Sequence, residues 1–570
     1  MFKDHPKGLF VAFFANMGER FGFYTMLAIF MLFLQAKYGL SAARASQVYG
    51  IFMFCVYFFP LLGGLLADRV LGYGKTISLG LVVMFIGYML LAIPTTMNTG
   101  FPLIVVALAT IALGTGFFKG NLQALVGKLY DEPQFSASRD RAFSIFYMGI
   151  NIGAMFAPTA AETINNWILS KAHYFYDNRI PALANQFLKG TLADASQYLG
   201  IAQAQDPGIT MDTLGAFSTN YINVLSKSYH YGFGVACVSL IASMIIFWGF
   251  KKYYGHADYM VSHKAAGGAA QGAPAKGTAA PSHVETLTAE QTKERLIALA
   301  LVYFVVVFFW MSFHQNGVTM TYFARDYTQP SVGKITNLWF DLFGLLPLFL
   351  AVVGAYFVYR KGSSGLVRGL GAAGFVLFAV LAYYRFRGYG AVNPFTPQKF
   401  QHFNPFFIVA LTPLVVTIFS VLNKRGTEPS APRKIGFGML ITAVGFLVLV
   451  VGSIGLSSPK VLGGTVAPTD QLVSPYWLIS TYFILTIAEL FLSPMGISFV
   501  SKVAPPQYKG LMQGGWFAAT AIGNYLLAII GYLWTKLPVW GTWMVLVTCC
   551  LLSATFMFSV MKRLERATKS

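Results

Sequence analysis

The chain has 570 residues, of which 56% are hydrophobic and only 11% are charged, and its formal net charge is +20. Soluble domains carry roughly 25% charged residues, so this composition excludes a soluble globular protein. The positive residues lie in short loops between apolar runs and not in one stripe or arm, which excludes a nucleic-acid-binding protein.

Apolar runs that are long enough to cross a bilayer recur along the whole chain. A segment of about 20 residues spans the hydrocarbon core, and it must be helical because its backbone groups need partners within the segment. The runs predict fourteen spans, at residues 8–36, 44–67, 76–95, 102–127, 143–163, 231–251, 295–317, 338–360, 366–385, 405–423, 434–456, 475–499, 510–535 and 540–562. The sequence therefore predicts an all-α membrane protein.

Two long connections interrupt this pattern. Residues 164–230 are polar and aromatic, and they predict a small ordered cap or loose helices outside the cell. Residues 252–293 contain an Ala/Gly/Pro-rich stretch from Lys264 to Ser282, which is typical of a flexible tether. Thr288 with Gln291 resembles a capping box, which indicates that the next helix starts in the cytosol.

The tether divides the chain into two halves. Residues 1–251 form one predicted bundle, residues 252–293 a cytoplasmic linker, and residues 294–570 a second bundle that includes two additional helices at about 338–385. An even number of spans places both termini on one side, and the excess of Lys and Arg in loops on that side predicts that they are cytoplasmic. Two such halves are typical of a transporter that rocks about a central site.

Among the ionisable side chains of the predicted spans, five stand out as candidates: Glu19, Arg20, Lys119, His314 and Glu489. A charge at membrane depth costs about 2.5–3.5 kcal/mol or more unless it is paired or reaches water, so each is a functional candidate. Adjacent residues point about 100° apart on a helix, and we therefore expect Glu19 and Arg20 to pair with other helices and not with each other. A buried ion network that fixes helix register is the alternative interpretation for Glu19, Arg20 and Lys119.

Glu489 lies in the apolar run ILTIAELFLSPMG, which has no basic residue. A substrate amine or a proton would neutralise its carboxylate, and hydrogen bonds from other helices are the alternative. His314 is able to change its charge near neutral pH, but a histidine at a helix end is also a common interfacial group.

Several motifs resemble those of the proton-dependent oligopeptide transporter (POT) family of the major facilitator superfamily. They occur in order along the chain: NMGERFGFY (Asn16–Tyr24), YFFPLLGGLLADRVLGYGK (Tyr57–Lys75), GTGFFKGN around Lys119, FYMGINIG (Phe146–Gly153), FWMSFHQ (Phe309–Gln315), NPFF at Asn404, ELFLSPMG (Glu489–Gly496) and GGWF around Trp516. The resemblance implies the major facilitator fold, with two six-helix bundles plus two extra helices.

The resemblance also implies residue roles. Glu489 would receive the amino end of a di- or tripeptide together with Asn151 and Asn404. Lys119 would face the carboxylate end, helped by Tyr24 and Tyr57.

The walls of the side-chain pockets would be Trp310 and Trp516. Core packing is the alternative interpretation for Tyr57 and Trp516. The proton gradient would drive uptake through Glu19, Arg20, Lys119, His314 and Glu489, without a cofactor or a metal.

Three positions depart from the family pattern. Asn16 replaces the first glutamate of ExxER, Leu27 replaces an expected arginine, and His314 replaces the glutamate before Gln315. The missing acid leads us to expect that Lys119 pairs with Glu19. Leu27 lacks the positive charge of the expected arginine. We therefore hypothesise that the protein accepts ligands that carry no negative charge at the end opposite their amino group.

The prediction is proton-coupled symport of di- and tripeptides across a bacterial inner membrane. The alternative is the same fold carrying another small solute, such as a muropeptide, nitrate, a drug-like molecule or a siderophore, without standard coupling. A membrane enzyme would need a clustered nucleophile or a metal pair, and the sequence has no HExxH and no GxSxG motif. The expected partners are the substrate, protons and lipid, with no nucleic acid.

Overall fold

The computed structural model describes residues 5–136, 138–258, 288–505 and 508–569. The first half of the chain contains the helices α1 Lys7–Tyr38, α2 Ala42–Leu66, α3 Tyr73–Ala92, α4 Phe101–Lys128, α5 Pro133–Ser136, α6 Arg139–Lys171, α7 Ile180–Leu188, α8 Ala195–Gln203 and α9 Leu214–Gly249. Helix α2 runs directly into a π-helical turn, Ala67–Leu71, in which the Asp68 carboxylate accepts a hydrogen bond from the Tyr73 hydroxyl at 2.6 Å.

The second half contains α10 Ala289–Phe313, α11 Thr319–Asp326, α12 Lys334–Phe340, α13 Leu342–Tyr359, α14 Gly365–Arg387, α15 Phe403–Lys424, α16 Ala431–Gly452, α17 Pro459–Leu462, α18 Tyr476–Val503, α19 Lys509–Tyr525, α20 Leu527–Trp534, α21 Val539–Ser559 and α22 Met561–Lys569. Two short strands, β1 Ser331–Val332 and β2 Asn393–Pro394, pair antiparallel.

Fourteen of the helical segments in the described ranges are long and apolar enough to cross a membrane, which confirms the predicted number. Each observed span overlaps one predicted span. In the described ranges the regular structure is helical apart from the two-residue strands. The predicted fold class is therefore confirmed.

The spans pack in two groups. In the first half, α1 packs on α6 and α9, and α4 packs on α2 and α3. In the second half, α16 packs on α18 and α21, and α10 packs on α19. The halves meet where α2 packs on α19 and α20, and where α6 packs on α15.

Glycines allow the closest helix approach in the first half. Gly149 and Gly153, one turn apart on α6, lie against α1. A Cβ atom at Gly149 would lie 2.9 Å from the ring of Phe13, and one at Gly153 would overlap the backbone oxygen of Met17. The absence of side chains at these two positions therefore permits a close crossing of α6 and α1.

The predicted boundaries of the outer connection, 164–230, are wrong. Helix α6 continues to Lys171 and α9 already starts at Leu214, so the connection spans only residues 172–213 and contains the short helices α7 and α8. The first turns of α9 bury Leu214, Phe217 and Tyr221 at helical spacing. Polar residues between them obscured this amphipathic pattern. We call the end of the bundle that carries residues 172–213 the cap end, and the opposite end the linker end.

The predicted tether, Lys264–Ser282, lies outside the described residues. The helix that follows it starts where the capping box predicted. The Thr288 hydroxyl accepts from the backbone N–H of Gln291 at 3.2 Å, and the Gln291 side chain accepts from the backbone N–H of Thr288 at 2.9 Å. Helix α10 therefore begins about one and a half turns before the apolar span.

The two additional helices form a hairpin at the edge of the second half. Helices α13 and α14 pack mainly on each other, with the backbones of Gly354 and Gly371 in close contact. Phe349 of α13 joins the hairpin to α15 through an edge-to-face contact with Phe406, at 5.8 Å between ring centroids. This placement agrees with a scaffolding role outside the central site.

Close packing at α6 gives a stability prediction. Gly153→Ala should lower the melting temperature of the detergent-solubilised protein, because its methyl group must displace the α1 backbone, at a cost of about 1–3 kcal/mol. The matched control is Gly64→Ala on α2, where an added Cβ meets nothing within 4 Å. Equal melting temperatures of the two variants would contradict the predicted contact.

Candidate functional site

Glu489, near the middle of α18, is the buried carboxylate of the site, with 6% of its surface exposed. Asn404, in the first turn of α15, donates from its amide to one carboxylate oxygen at 2.9 Å. Tyr147 of α6 donates from its hydroxyl to the other oxygen at 3.2 Å. Because Tyr147 belongs to the first half of the chain, this carboxylate joins the two halves at mid-membrane depth.

Asn151 lies one turn from Tyr147 on α6, and its amide donates to the Tyr147 backbone oxygen at 3.1 Å. It is buried, with 5% of its surface exposed, whereas Tyr147 is 40% exposed although it lies within a spanning helix. The Tyr147 hydroxyl therefore reaches the buried carboxylate from a partly exposed ring.

A second group of site residues surrounds Lys119 of α4. The Lys119 ammonium lies over the ring of Tyr57, 3.9 Å from its centroid. The Tyr57 ring is 5.9 Å from the ring of His314, and His314 stacks on Trp310 at 4.8 Å. These four side chains form a continuous row from α2 and α4 to α10.

His314 is anchored by a residue that the sequence analysis did not single out. Its Nδ1 atom lies 2.5 Å from the side-chain oxygen of Asn524 on α19. Within the described ranges, Lys119 forms no ion pair with a carboxylate. The expectation that Lys119 pairs with Glu19 is therefore wrong.

Glu19 and Arg20 pair with each other, and the expectation that they need partners on other helices is wrong. Arg20 donates from Nε to one oxygen of Glu19 at 2.5 Å and from a terminal nitrogen to the other at 2.6 Å. Both residues are buried, at 0% and 3% exposure. The arginine side chain is long enough to bend around the helix, so the 100° offset between neighbours does not separate the charged groups. The Arg20 guanidinium also lies over the ring of Phe23 at 4.6 Å.

Two further predicted site residues, Trp516 and Tyr24, have packing contacts as their described contacts. Trp516 of α19 is buried against Gly496 of α18, where any added Cβ would overlap the indole ring. Tyr24 lies half-buried on α1, with its ring 5.5 Å from that of Phe23. Neither contact tests the proposed ligand roles of these residues, which stay predictions.

Polar contacts join the two halves of the chain at the cap end. The Lys399 ammonium pairs with the Glu162 carboxylate at 2.8 Å, and the Thr396 hydroxyl donates to the same carboxylate at 2.9 Å. Arg325 donates to the Gln35 side chain at 2.5 Å, and the Asn178 amide donates to the Arg325 backbone oxygen at 2.7 Å. The polar bridges between the halves that the structure describes lie at the level of Glu489 or closer to the cap end.

The sequence analysis missed Tyr147, Asn524 and the Glu162–Lys399 pair. Tyr147 had a readable signal, since it precedes Asn151 by four residues and so shares its helix face. Asn524 is an isolated amide in an apolar helix, and a polar residue in a spanning helix also indicates a functional position. The ion pair joins residues far apart in the chain, and only Glu162, at the end of the predicted span 143–163, carried such a signal.

The site is defined by its charged and polar residues and not by either of two surface cavities. Two cavities of about 240 and 400 Å³ lie at the cap end, lined by residues such as Ser331 and Tyr476 in one and Arg44 and Phe101 in the other. Neither includes the charged residues above. The charged residues offer an acid on α18 and an unpaired cation on α4, a pattern suited to a small molecule with both charges.

Comparison with known proteins gives consistent matches. The model of the POT family matches residues 74–260 and 391–544, so the unmatched stretch between them contains most of the linker and the α13–α14 hairpin. The chain is 26% identical to an uncharacterized transporter of Bacillus subtilis over 94% of this chain and 90% of that one. It is 25% identical to dipeptide and tripeptide permease B of Xenorhabdus bovienii over 94% of this chain and 88% of that one.

A solved structure, that of the peptide transporter POT in complex with sulfate, superposes with a TM-score of 0.64 at 22% identity. The superposition covers 99% of this chain and 96% of that one, and it shows a shared fold.

The buried pair on α1 gives a second stability prediction. Glu19→Gln should lower the melting temperature strongly, because it leaves the Arg20 charge buried without its partner, which typically costs 3–5 kcal/mol. The double variant Glu19→Gln, Arg20→Met removes both charges and should regain part of that loss. Additive losses in the double variant, measured by thermal unfolding in detergent, would show that the two residues do not stabilise each other.

Proposed function

The chain belongs to the POT family, and from this membership we propose that it imports di- and tripeptides together with protons by alternating access. The observation that carries the proposal is the charge arrangement across the two halves. Glu489 of α18 is held by Tyr147 of α6, while Lys119 of α4 lies over a tyrosine ring with no carboxylate partner in the described ranges. A zwitterionic peptide supplies the two missing opposite charges.

In this proposal Glu489, Asn404 and Asn151 receive the amino end of the peptide. The carboxylate end faces Lys119, with the hydroxyls of Tyr24 and Tyr57 as hydrogen-bond donors. Trp310 and Trp516 wall the side-chain pockets. Support for Trp310 comes from its indole N–H, which is buried without a partner in the described part of the chain and is free to donate to a ligand.

Proton coupling is assigned to Glu19, Arg20, Lys119, His314 and Glu489. Each lies within a spanning helix, where adding or removing one charge changes the free energy more than it does in water. A proton that neutralises Glu489 weakens its hold on a peptide amine, so its binding favours one of the two states of the carrier.

We place the linker end in the cytoplasm, with both termini, and the cap end outside, in a bacterial inner membrane. The Lys and Arg bias of the loops supports this orientation. The polar bridges at the cap end then make the described conformation closed to the outside.

A different cargo is not favoured, because several of the curated relatives are named as di- or tripeptide carriers. The family and its structural neighbours are transporters, which argues against an enzyme. The direct test is uptake of a labelled dipeptide into proteoliposomes with and without an imposed pH gradient, and accumulation that ignores the gradient would overturn the proposal.

Lys119→Ala should abolish uptake driven by a pH gradient, because the carboxylate of the peptide loses its counter-charge. The matched control is Lys171→Ala, whose ammonium also lies over an aromatic ring, that of Trp167 at 3.7 Å, but at the exposed cap end. The control should retain uptake. Undiminished accumulation by Lys119→Ala would defeat this role.

Glu489→Gln should remove dipeptide binding, seen as loss of the thermal shift that a dipeptide gives the unaltered protein. A hydrogen bond to a charged group is worth about 1.5–3 kcal/mol, so affinity should fall about 10- to 100-fold. Glu290→Gln, at an exposed first-turn position of α10, is the control and should bind normally. An unchanged thermal shift in Glu489→Gln would remove this residue from the site.

A further inference from the structure

The contact between His314 and Asn524 assigns distinct roles to the two ring nitrogens. Nδ1 of His314 faces the side-chain oxygen of Asn524 at 2.5 Å. An amide oxygen accepts hydrogen bonds and does not donate them, so in this orientation of the Asn524 amide Nδ1 carries the hydrogen. The lone pair of the neutral ring then belongs to Nε2.

The surroundings of His314 fix the ring plane as well as the tautomer. Trp310 stacks on it at 4.8 Å with 24° between the planes, and Tyr57 approaches at 5.9 Å. The ionisable groups that face this histidine are the Tyr57 phenol and, above the Tyr57 ring, the Lys119 ammonium. The Tyr49 hydroxyl lies next to Gly317, in the turn that follows.

Packing alone does not explain Asn524. The residue is fully buried at 0% exposure, and its amide nitrogen has no hydrogen-bond partner among the described residues. An unpaired buried amide nitrogen destabilises a fold, and an apolar side chain of similar size would avoid that penalty. Among the described residues, the one polar contact that the side chain makes is with His314, which points to a role in orienting the ring.

We propose that Asn524 is a positioning residue for proton binding, which holds Nδ1–H of His314 and leaves Nε2 as the nitrogen that takes up the transported proton. The inference rests on the proposed function and names the atom at which this histidine acts. Proton uptake converts the neutral imidazole to an imidazolium with an N–H on both nitrogens, and release returns the Nε2 proton to water. The positive charge forms beside the ring whose face carries Lys119.

The tautomer is tested without transport. Protein labelled with ¹⁵N-histidine is compared with its His314→Gln variant, so that the difference spectrum contains the His314 nitrogens. At a pH where the ring is neutral, we expect a protonated nitrogen signal from Nδ1 and an unprotonated one from Nε2. A protonated Nε2 in the neutral ring would overturn the proposal.

The pH profile of dipeptide uptake is the second test. Asn524→Asp should move the profile to higher pH by about one unit, because a carboxylate hydrogen-bonded to Nδ1–H stabilises the imidazolium. Asn524→Leu should flatten the profile while peptide counterflow, which needs no net proton movement, continues. An unshifted profile in both variants would overturn the proposal.

Thr520→Val is the matched control, since Thr520 lies one turn away on α19, is equally buried and bonds only the backbone of its own helix at 2.9 Å. It should keep the unaltered pH profile. If the unaltered protein takes up no dipeptide at all, the proposed function fails, while the nitrogen spectrum still decides the role of Asn524.

Discussion

The structure depends on how charges are stabilised within a hydrophobic protein that spans a membrane. Each ionisable group at membrane depth is costly unless a partner satisfies it. Arg20 satisfies Glu19 within one turn of α1, and Tyr147 and Asn404 hold Glu489 from two other helices. Lys119 differs, because an aromatic ring is its described contact and a ring face neutralises a charge only in part. The remaining unbalanced charge is what distinguishes a binding site from a structural network.

Most of the fold is readable from the sequence because one physical rule determines it. A stretch of about 20 apolar residues has one stable form in lipid, which is a spanning helix, and this rule located all fourteen spans. The rule says little outside the bilayer, where polar helices and loops have similar composition. Helix α9 shows the difference, because its amphipathic first turns lie beyond the apolar run and were assigned to a loop.

The site is predictable at the level of residue identity but not of pairing. Intramembrane charge and motif resemblance identified Lys119, His314 and Glu489. Their partners follow from three-dimensional packing: the Glu19–Arg20 pair depends on side-chain rotamers, and the contact between His314 and Asn524 joins residues 210 positions apart. A single sequence contains no direct record of such distances. The ligand and proton-coupling roles of these residues, like those of Tyr24, Trp310 and Trp516, stay predictions.

The short segment from Thr396 to Asn404 contributes to two separate contacts between or within the halves of the chain. Thr396 and Lys399 hold Glu162 at the cap end, and Asn404, only five residues after Lys399, holds Glu489. The helical turn Pro397–His402 connects them and leads without a break into α15, which begins at Phe403. Any separation of the two halves that moves Lys399 away from Glu162 is therefore expected to displace Asn404 as well. The Lys399–Glu162 contact at the cap end and the Asn404–Glu489 contact are therefore coupled through this one segment.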